Sequence, residues 1–297
     1  MAYILCGGTN ATVTIDGVEV EEDMALSSGV MDTSVSTLPY AFYQGSVVVH
    51  QDEIHILGSS SQQKFWYKYN GAKWTSVGTL PYTLYQGSAV IYKNEIHILG
   101  GNDSGGVYKF HYKYNGSSWT ELSRLPYYFY QSEAIVHQDE IHILGSGSAN
   151  YTTNHYKYNG SSWTNTSTLP YGFKYGSAVV YQDEIHILGG QSNTNHYKYN
   201  GTSWTSVSKL PYSFYGGAAA MHQDEIHILG GTIDNYGKAH YKYNGTSWIS
   251  VSTLPYDFEA GSAVVHKNAI NILGTSSTDP FKQHYAIRNI YVKGGAA

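Results

Sequence analysis

One spacing constrains this chain more than any other feature. Leu-Pro-Tyr recurs with prolines at Pro39, Pro81, Pro126, Pro170, Pro211 and Pro255. Each proline stands 14 residues before the residue that opens an Ile-His-Ile-Leu-type segment, namely Glu53, Glu95, Glu140, Glu184, Glu225 and Ala269. From Tyr67, Tyr112, Tyr156, Tyr197 and Tyr241 to the next proline the count is again 14. All the length variation falls between the glycine that closes Ile-His-Ile-Leu-Gly and the His-Tyr-Lys-Tyr segment. Such a chain is a fixed frame that carries one variable loop per repeat.

Each repeat reads as four short strands. In the fourth repeat these are the small-residue segment within 176–182, Glu184 to Leu188 after a two-residue turn, His196 to Tyr199, and the segment from Trp204 after Asn200-Gly201. Asn-Gly between alternating segments predicts a type I′ turn, with positive φ at both central residues. Proline then closes the repeat where no ladder N–H is needed. Four antiparallel strands in each 41 to 45 residues, repeated six times, predict an all-β fold, a six-bladed β-propeller. Residues 29–40 align without a gap on 201–212, so a fourth strand precedes any first strand, while the last repeat stops after three. The last blade is therefore expected to be closed by an N-terminal strand, which leaves no free sheet edge.

The segment Leu210-Pro211-Tyr212 through Gly230-Gly231 resembles the kelch repeat, with a small-residue strand, a hydrophobic strand ending in Gly-Gly, and a later Tyr and Trp. The resemblance runs over about residues 29–288 and implies a kelch-like propeller. The double glycine is complete only at Gly100-Gly101, Gly189-Gly190 and Gly230-Gly231. The expected organisation is an N-terminal β-hairpin segment (1–28, docking element or cap), the propeller (29–288) and a tail (289–297). Within 1–28, Asp16-Gly17 marks the hairpin turn and Glu21-Glu22-Asp23 an acidic stretch, and Tyr3 to Cys6 could pair with the terminal Ile290 to Lys293.

Composition narrows the function classes. A net charge of -5 and only two arginines, Arg124 and Arg288, give no basic footprint for nucleic acid. A single cysteine, Cys6, permits no intrachain disulfide. No signal-peptide pattern and no long apolar run predict neither Sec export nor membrane insertion. The location expected is a virion or the extracellular space reached without a signal peptide, the alternative being the cytoplasm.

Repetition argues against dedicated chemistry. All 14 histidines occupy repeated positions, so His186 is expected to point between blades and bond there, although His186 and His196 on adjacent strands raise the question of a metal. The Gln-Asp-Glu triplets read as turns, and Trp74, Trp119, Trp163, Trp204 and Trp248 as blade packing. No catalytic residue, metal site or cofactor is expected. The connector between blades should share a face with the variable loop. Its first Tyr and its Phe read as packing, whereas the second aromatic position varies in type. Tyr43, Tyr85, Tyr130, Lys174, Tyr175, Tyr215 and Glu259 are therefore the candidate ligand-binding residues.

These readings point to a non-catalytic multivalent recognition module that binds a cell-surface glycan or a protein receptor. A Tyr-, Gly-, Ser- and Asn-rich composition with a distinct N-terminal piece resembles a bacteriophage virion or tail-associated receptor-binding protein. Other virion proteins would then dock through residues 1–28, and a homo-oligomer is an open possibility. The alternative is a carbohydrate-active enzyme with its site at the propeller mouth. It would use residues that break the repeat: Asp103, Glu133, Lys174, Asp234, Asp257 and Glu259.

Overall fold

A computed structural model describes residues 11–12, 21–22, 30–32, 35–59, 64–145, 152–191, 193–231, 236–274 and 282–288. Six four-stranded antiparallel sheets, five of them meanders of strands that follow one another in chain order, form a six-bladed β-propeller. The first strands of the blades, Ser46–His50, Ser88–Tyr92, Glu133–His137, Ser177–Tyr181, Ala218–His222 and Ser262–His266, pack side by side in a closed circle around the axis. The sixth blade takes its outer strand from the N-terminal side, with Val30, Met31 and Asp32 paired to Arg288, Ile287 and Ala286. A further two-residue pairing, Ala11↔Glu22 and Thr12↔Glu21, is centred on the expected Asp16-Gly17 turn. Residues 1–10, 13–20, 23–29 and 289–297 lie outside the described residues, and with them the expected pairing of the two termini. Among the described residues no helix is long and apolar enough to cross a membrane.

The turn chemistry differs from the expectation. Asn-Gly does not make a two-residue turn. Tyr199 pairs with Trp204, leaving a four-residue loop in which Asn200 Oδ1 accepts from the Thr202 and Ser203 amides. Only the glycine, Gly201 at φ +97°, is left-handed there. The Asn side chain satisfies two loop amides by itself, so an Asx-type turn forms instead. The two-residue hairpin with both φ positive lies at the other turn, for example Gln182 (+50°) and Asp183 (+58°) between the paired Tyr181 and Glu184. That geometry explains why this position alternates between Asp and Asn, the residues that best tolerate left-handed backbone after glycine. Asp224→Gly, at φ +57°, is expected to gain about half a kcal/mol and raise Tm by about a degree in a thermal melt.

Every residue of the repeated phrase Glu-Ile-His-Ile-Leu is either buried or paired within its blade. The two Ile and the Leu are buried; Ile185, Ile187 and Leu188 are all 0 % exposed. The opening Glu pairs with the lysine of Tyr-Lys-Tyr, as in Glu184–Lys198 at 2.7 Å and Glu140–Lys157 at 2.6 Å. In the sixth blade both members are lost together, to Ala269 and Ala286.

The histidine forms a buried pair with the histidine of the next strand. His97–His111, His142–His155, His186–His196 and His227–His240 each have Nδ1 to Nε2 distances of 2.8 Å. His196 Nδ1–H donates to the Ser208 carbonyl, which leaves its Nε2 as the acceptor from His186 Nδ1–H; both rings are neutral. In the first blade Trp66 Nε1–H donates to His55 Nδ1, and in the sixth His284 Nε2–H donates to Asn271 Oδ1. His186 thus bonds within its own blade, not across blades as expected. Its partner His196 meets the rings of Tyr243 and Trp248 of the next blade, at 5.1 and 5.6 Å between centroids.

Candidate functional site

One complete and two partial rings of inter-blade hydrogen bonds lie around the axis. At the connector end, the amides of Gln44, Gln86, Gln131, Tyr175, Gly216 and Ala260 each donate to the carbonyl of the same position in the preceding blade, at 2.6 to 2.8 Å. Gln44 donates to Ala260 and so closes the circle. All six residues have left-handed backbone, φ +53° to +70°, and five of them are not glycine. Left-handed L-residues cost roughly 1–2 kcal/mol each and persist only where surrounding structure holds them. Deeper in the channel, serine hydroxyls bridge blades. Ser46, Ser88 and Ser177 Oγ accept from Ala89, Ala134 and Ala219 amides at 2.8 to 3.1 Å. At the far end, His50, His137, His222 and His266 Nε2 meet turn carbonyls of the next blade at 2.8 to 3.2 Å.

The backbone ring frames a mouth of about 120 Å³ lined by Gln44, Gln86, Gln131, Tyr175, Gly216 and Ala260. Variable loops and connectors do share this face, as the Tyr85↔Asn102 and Asn193↔Phe214 bridges between them show. The connector positions divide as the sequence suggested. The first tyrosine is tied down, with Tyr40, Tyr171 and Tyr212 O–H donating to the Gly58, Gly189 and Gly230 carbonyls at 2.9, 2.7 and 2.7 Å. Phe42, Leu84, Phe129, Phe173, Phe214 and Phe258 are fully buried.

The candidate residues Tyr43, Tyr85, Tyr130, Lys174, Tyr175, Tyr215 and Glu259 are all half-buried at the rim, and many are in mutual contact. Tyr175 and Tyr215 lie 4.6 Å apart between ring centroids. Lys174 Nζ stands 4.7 Å over the Tyr130 ring and 5.4 Å over that of Tyr175. Burial, then Glu259, raises the Tyr43 hydroxyl; burial, then Tyr43, raises that of Tyr85. The Tyr175 hydroxyl is raised by burial first, then by Tyr215, Tyr130 and, from across the mouth, Tyr85. Sequence reasoning omitted Gln44, Gln86 and Gln131 from the site. Their signal was the glutamine that follows the second aromatic in three repeats.

The repeat-breaking acids do not converge. Asp103 caps a local turn by accepting from the Gly105 amide, Asp257 is exposed, and Asp234 lies outside the described residues. Glu259 is on the rim and Glu133 inside the channel. Among the described residues no group of three or more His, Cys, Asp or Glu side chains could hold a metal ion.

No family model matches the chain, and no curated protein sequence does either. The fold has counterparts among solved structures. One, described as the structure of YjhT, superposes with a TM-score of 0.74 at 17 % identity, covering 88 % of this chain and 99 % of that one. At that identity the likeness shows the propeller fold and nothing finer.

Proposed function

We propose that this kelch-like propeller is a non-catalytic recognition module that binds its ligand at the tyrosine-lined mouth. The observation that carries the reading is the convergence of the one variable connector position of every blade on a single rim, with neighbouring side chains already in contact. Half-buried tyrosines offer stiff amphipathic surface, and glutamine amides offer donors and acceptors beside them, a combination suited to sugar rings. Because the rim residues touch one another, the site is one composite surface per disc, not a set of separate repeated ones. Multivalency would then come from several chains in one assembly.

The ligand class we favour is a bacterial surface glycan, with the chain carried on a phage particle. That assignment draws on the Tyr-, Gly-, Ser- and Asn-rich composition and would be supported by finding the chain in purified virions. A glycan array identifies the ligand, and calorimetry with Tyr85→Ala and Tyr215→Ala tests the site. These residues belong to blades on opposite sides of the mouth. Each substitution is expected to weaken binding about 10- to 100-fold, with one ligand per chain in the parent protein. Stoichiometry above one, with each variant losing only a fraction of the sites at unchanged affinity, would sink the composite site. Turnover of a bound glycan would favour the enzyme reading instead.

A further inference from the structure

The channel below the mouth carries one carboxyl group that neither the fold nor the mouth uses. At the opening position of the first strand the blades have Ser46, Ser88, Glu133, Ser177, Ala218 and Ser262. Three of these serines accept from an amide of the following blade, and Ser262 donates to the Gly45 carbonyl. In the third blade Glu133 replaces that bridge, and its side chain has no hydrogen bond or ion pair with any described residue. The change does not stand alone. The preceding residue is glycine in the other five blades, where an added Cβ would come within 2.4 to 2.5 Å of the neighbouring Phe or Leu side chain. The third blade nevertheless has Ser132 there, with its hydroxyl on the Leu144 carbonyl. Glu133 lines both the mouth and the cavity of about 220 Å³ beneath it, so it can be reached from the rim.

An unpartnered carboxylate inside the channel is unfavourable, and burial raises the Glu133 pKa to about 8. Hydroxyls cannot neutralise it, whereas a positive charge can. The cavity is walled by small side chains, which leaves room for a cation and its waters. Ser46, Ser88 and Ser177 each keep a lone pair after accepting an amide hydrogen.

We propose that the axial channel holds a small cation at Glu133, either a metal ion or the primary ammonium group of a bound molecule. Hard, oxygen-only surroundings with a single carboxylate suit a weakly held, partly hydrated ion. Binding at neutral pH would displace the proton that the empty site keeps.

The test uses the full chain in a metal-free HEPES buffer titrated with tetramethylammonium hydroxide. It is titrated separately with CaCl2, KCl and methylammonium chloride, with tetramethylammonium chloride matching ionic strength. Thermal melts report binding, and calorimetry in buffers of different ionisation heat reports proton release. One of the probes is expected to raise Tm saturably and to release up to one proton per chain. Calcium or potassium would identify a metal site, methylammonium an ammonium site. Glu133→Ser, which restores the residue of the other blades, and Glu133→Gln should both lose at least tenfold in affinity and all proton release. The proposal is overturned if no probe gives a saturable shift, or if both variants keep the parent response. Either result leaves the Tyr85 and Tyr215 experiment unaffected.

Discussion

Mild acid is expected to unfold this propeller cooperatively, between about pH 6 and pH 5. His55, His97, His111, His142, His155, His186, His196, His227, His240 and His284 are all 5 % exposed or less. Burial, with smaller contributions from neighbouring charges, lowers all ten to about 3 or 4. In the unfolded chain they would titrate near 6.5. Below that pH the unfolded chain binds more protons than the native one, so stability is full above the unfolded pKa and falls as pH drops toward the folded values. Each histidine costs about 0.7 kcal/mol between pH 7 and 6, and about 1.2 kcal/mol over the next unit. Ten of them remove roughly 7 kcal/mol by pH 6, against a typical total of about 5–15 kcal/mol. Circular dichroism and tryptophan fluorescence along a pH titration would show the transition, and a native signal that persists at pH 4.5 would refute the account. The sixth blade supplies the control, since Asn271 already accepts from His284 there. His186→Asn copies that solution and should move the acid midpoint downward.

Glu133→Ser is expected to stabilise the protein in cation-free buffer, by an amount that grows with pH. A carboxyl whose pKa rises from its ordinary value of 4.5 to about 8 on folding contributes stability that is intact below 4.5 and is lost as pH climbs through 8. Replacement abolishes that loss. Each pH unit in the window is worth up to about 1.4 kcal/mol, halved here because the side chain opens onto channel water. The gain is then roughly 1 kcal/mol at pH 6.5 and 2–3 kcal/mol by pH 8.5, with a restored serine bridge to the next blade adding to it. Denaturant melts of both proteins at the two pH values would measure it. A gain that is flat with pH would show that the carboxyl is already compensated.

The fold was legible because its constraints are local and repeated. Pro39 to Glu53 and its five copies fix strand order and count, and the gapless match of 29–40 with 201–212 fixed the closing strand at Val30–Asp32. The turn at Asn200-Gly201 was misread because a side-chain oxygen competes for the same amides that a two-residue hairpin would use. The histidine pairs were half legible. His186 and His196 could be placed on adjacent strands, but which nitrogen faces which depends on Ser208, twelve residues downstream of His196. Variation in type singled out the rim, Tyr43 through Glu259. It could not reveal the backbone ring beneath, because a circle of amide-to-carbonyl bonds leaves no mark on side-chain identity beyond a tolerance for positive φ.

That ring has an electrical consequence. Six N–H···O=C bonds that run head to tail around a closed circle have in-plane dipole components that cancel by symmetry. Each ring amide is already donated to a neighbouring carbonyl, so the ring offers an anion no free N–H of the kind a helix N-terminus presents. Whatever charge an incoming molecule meets there is set by Lys174 and Glu259 on the rim and, above its raised pKa, by Glu133 below it. Changing the sign preference of this surface should take only one or two side-chain replacements and no change to the frame.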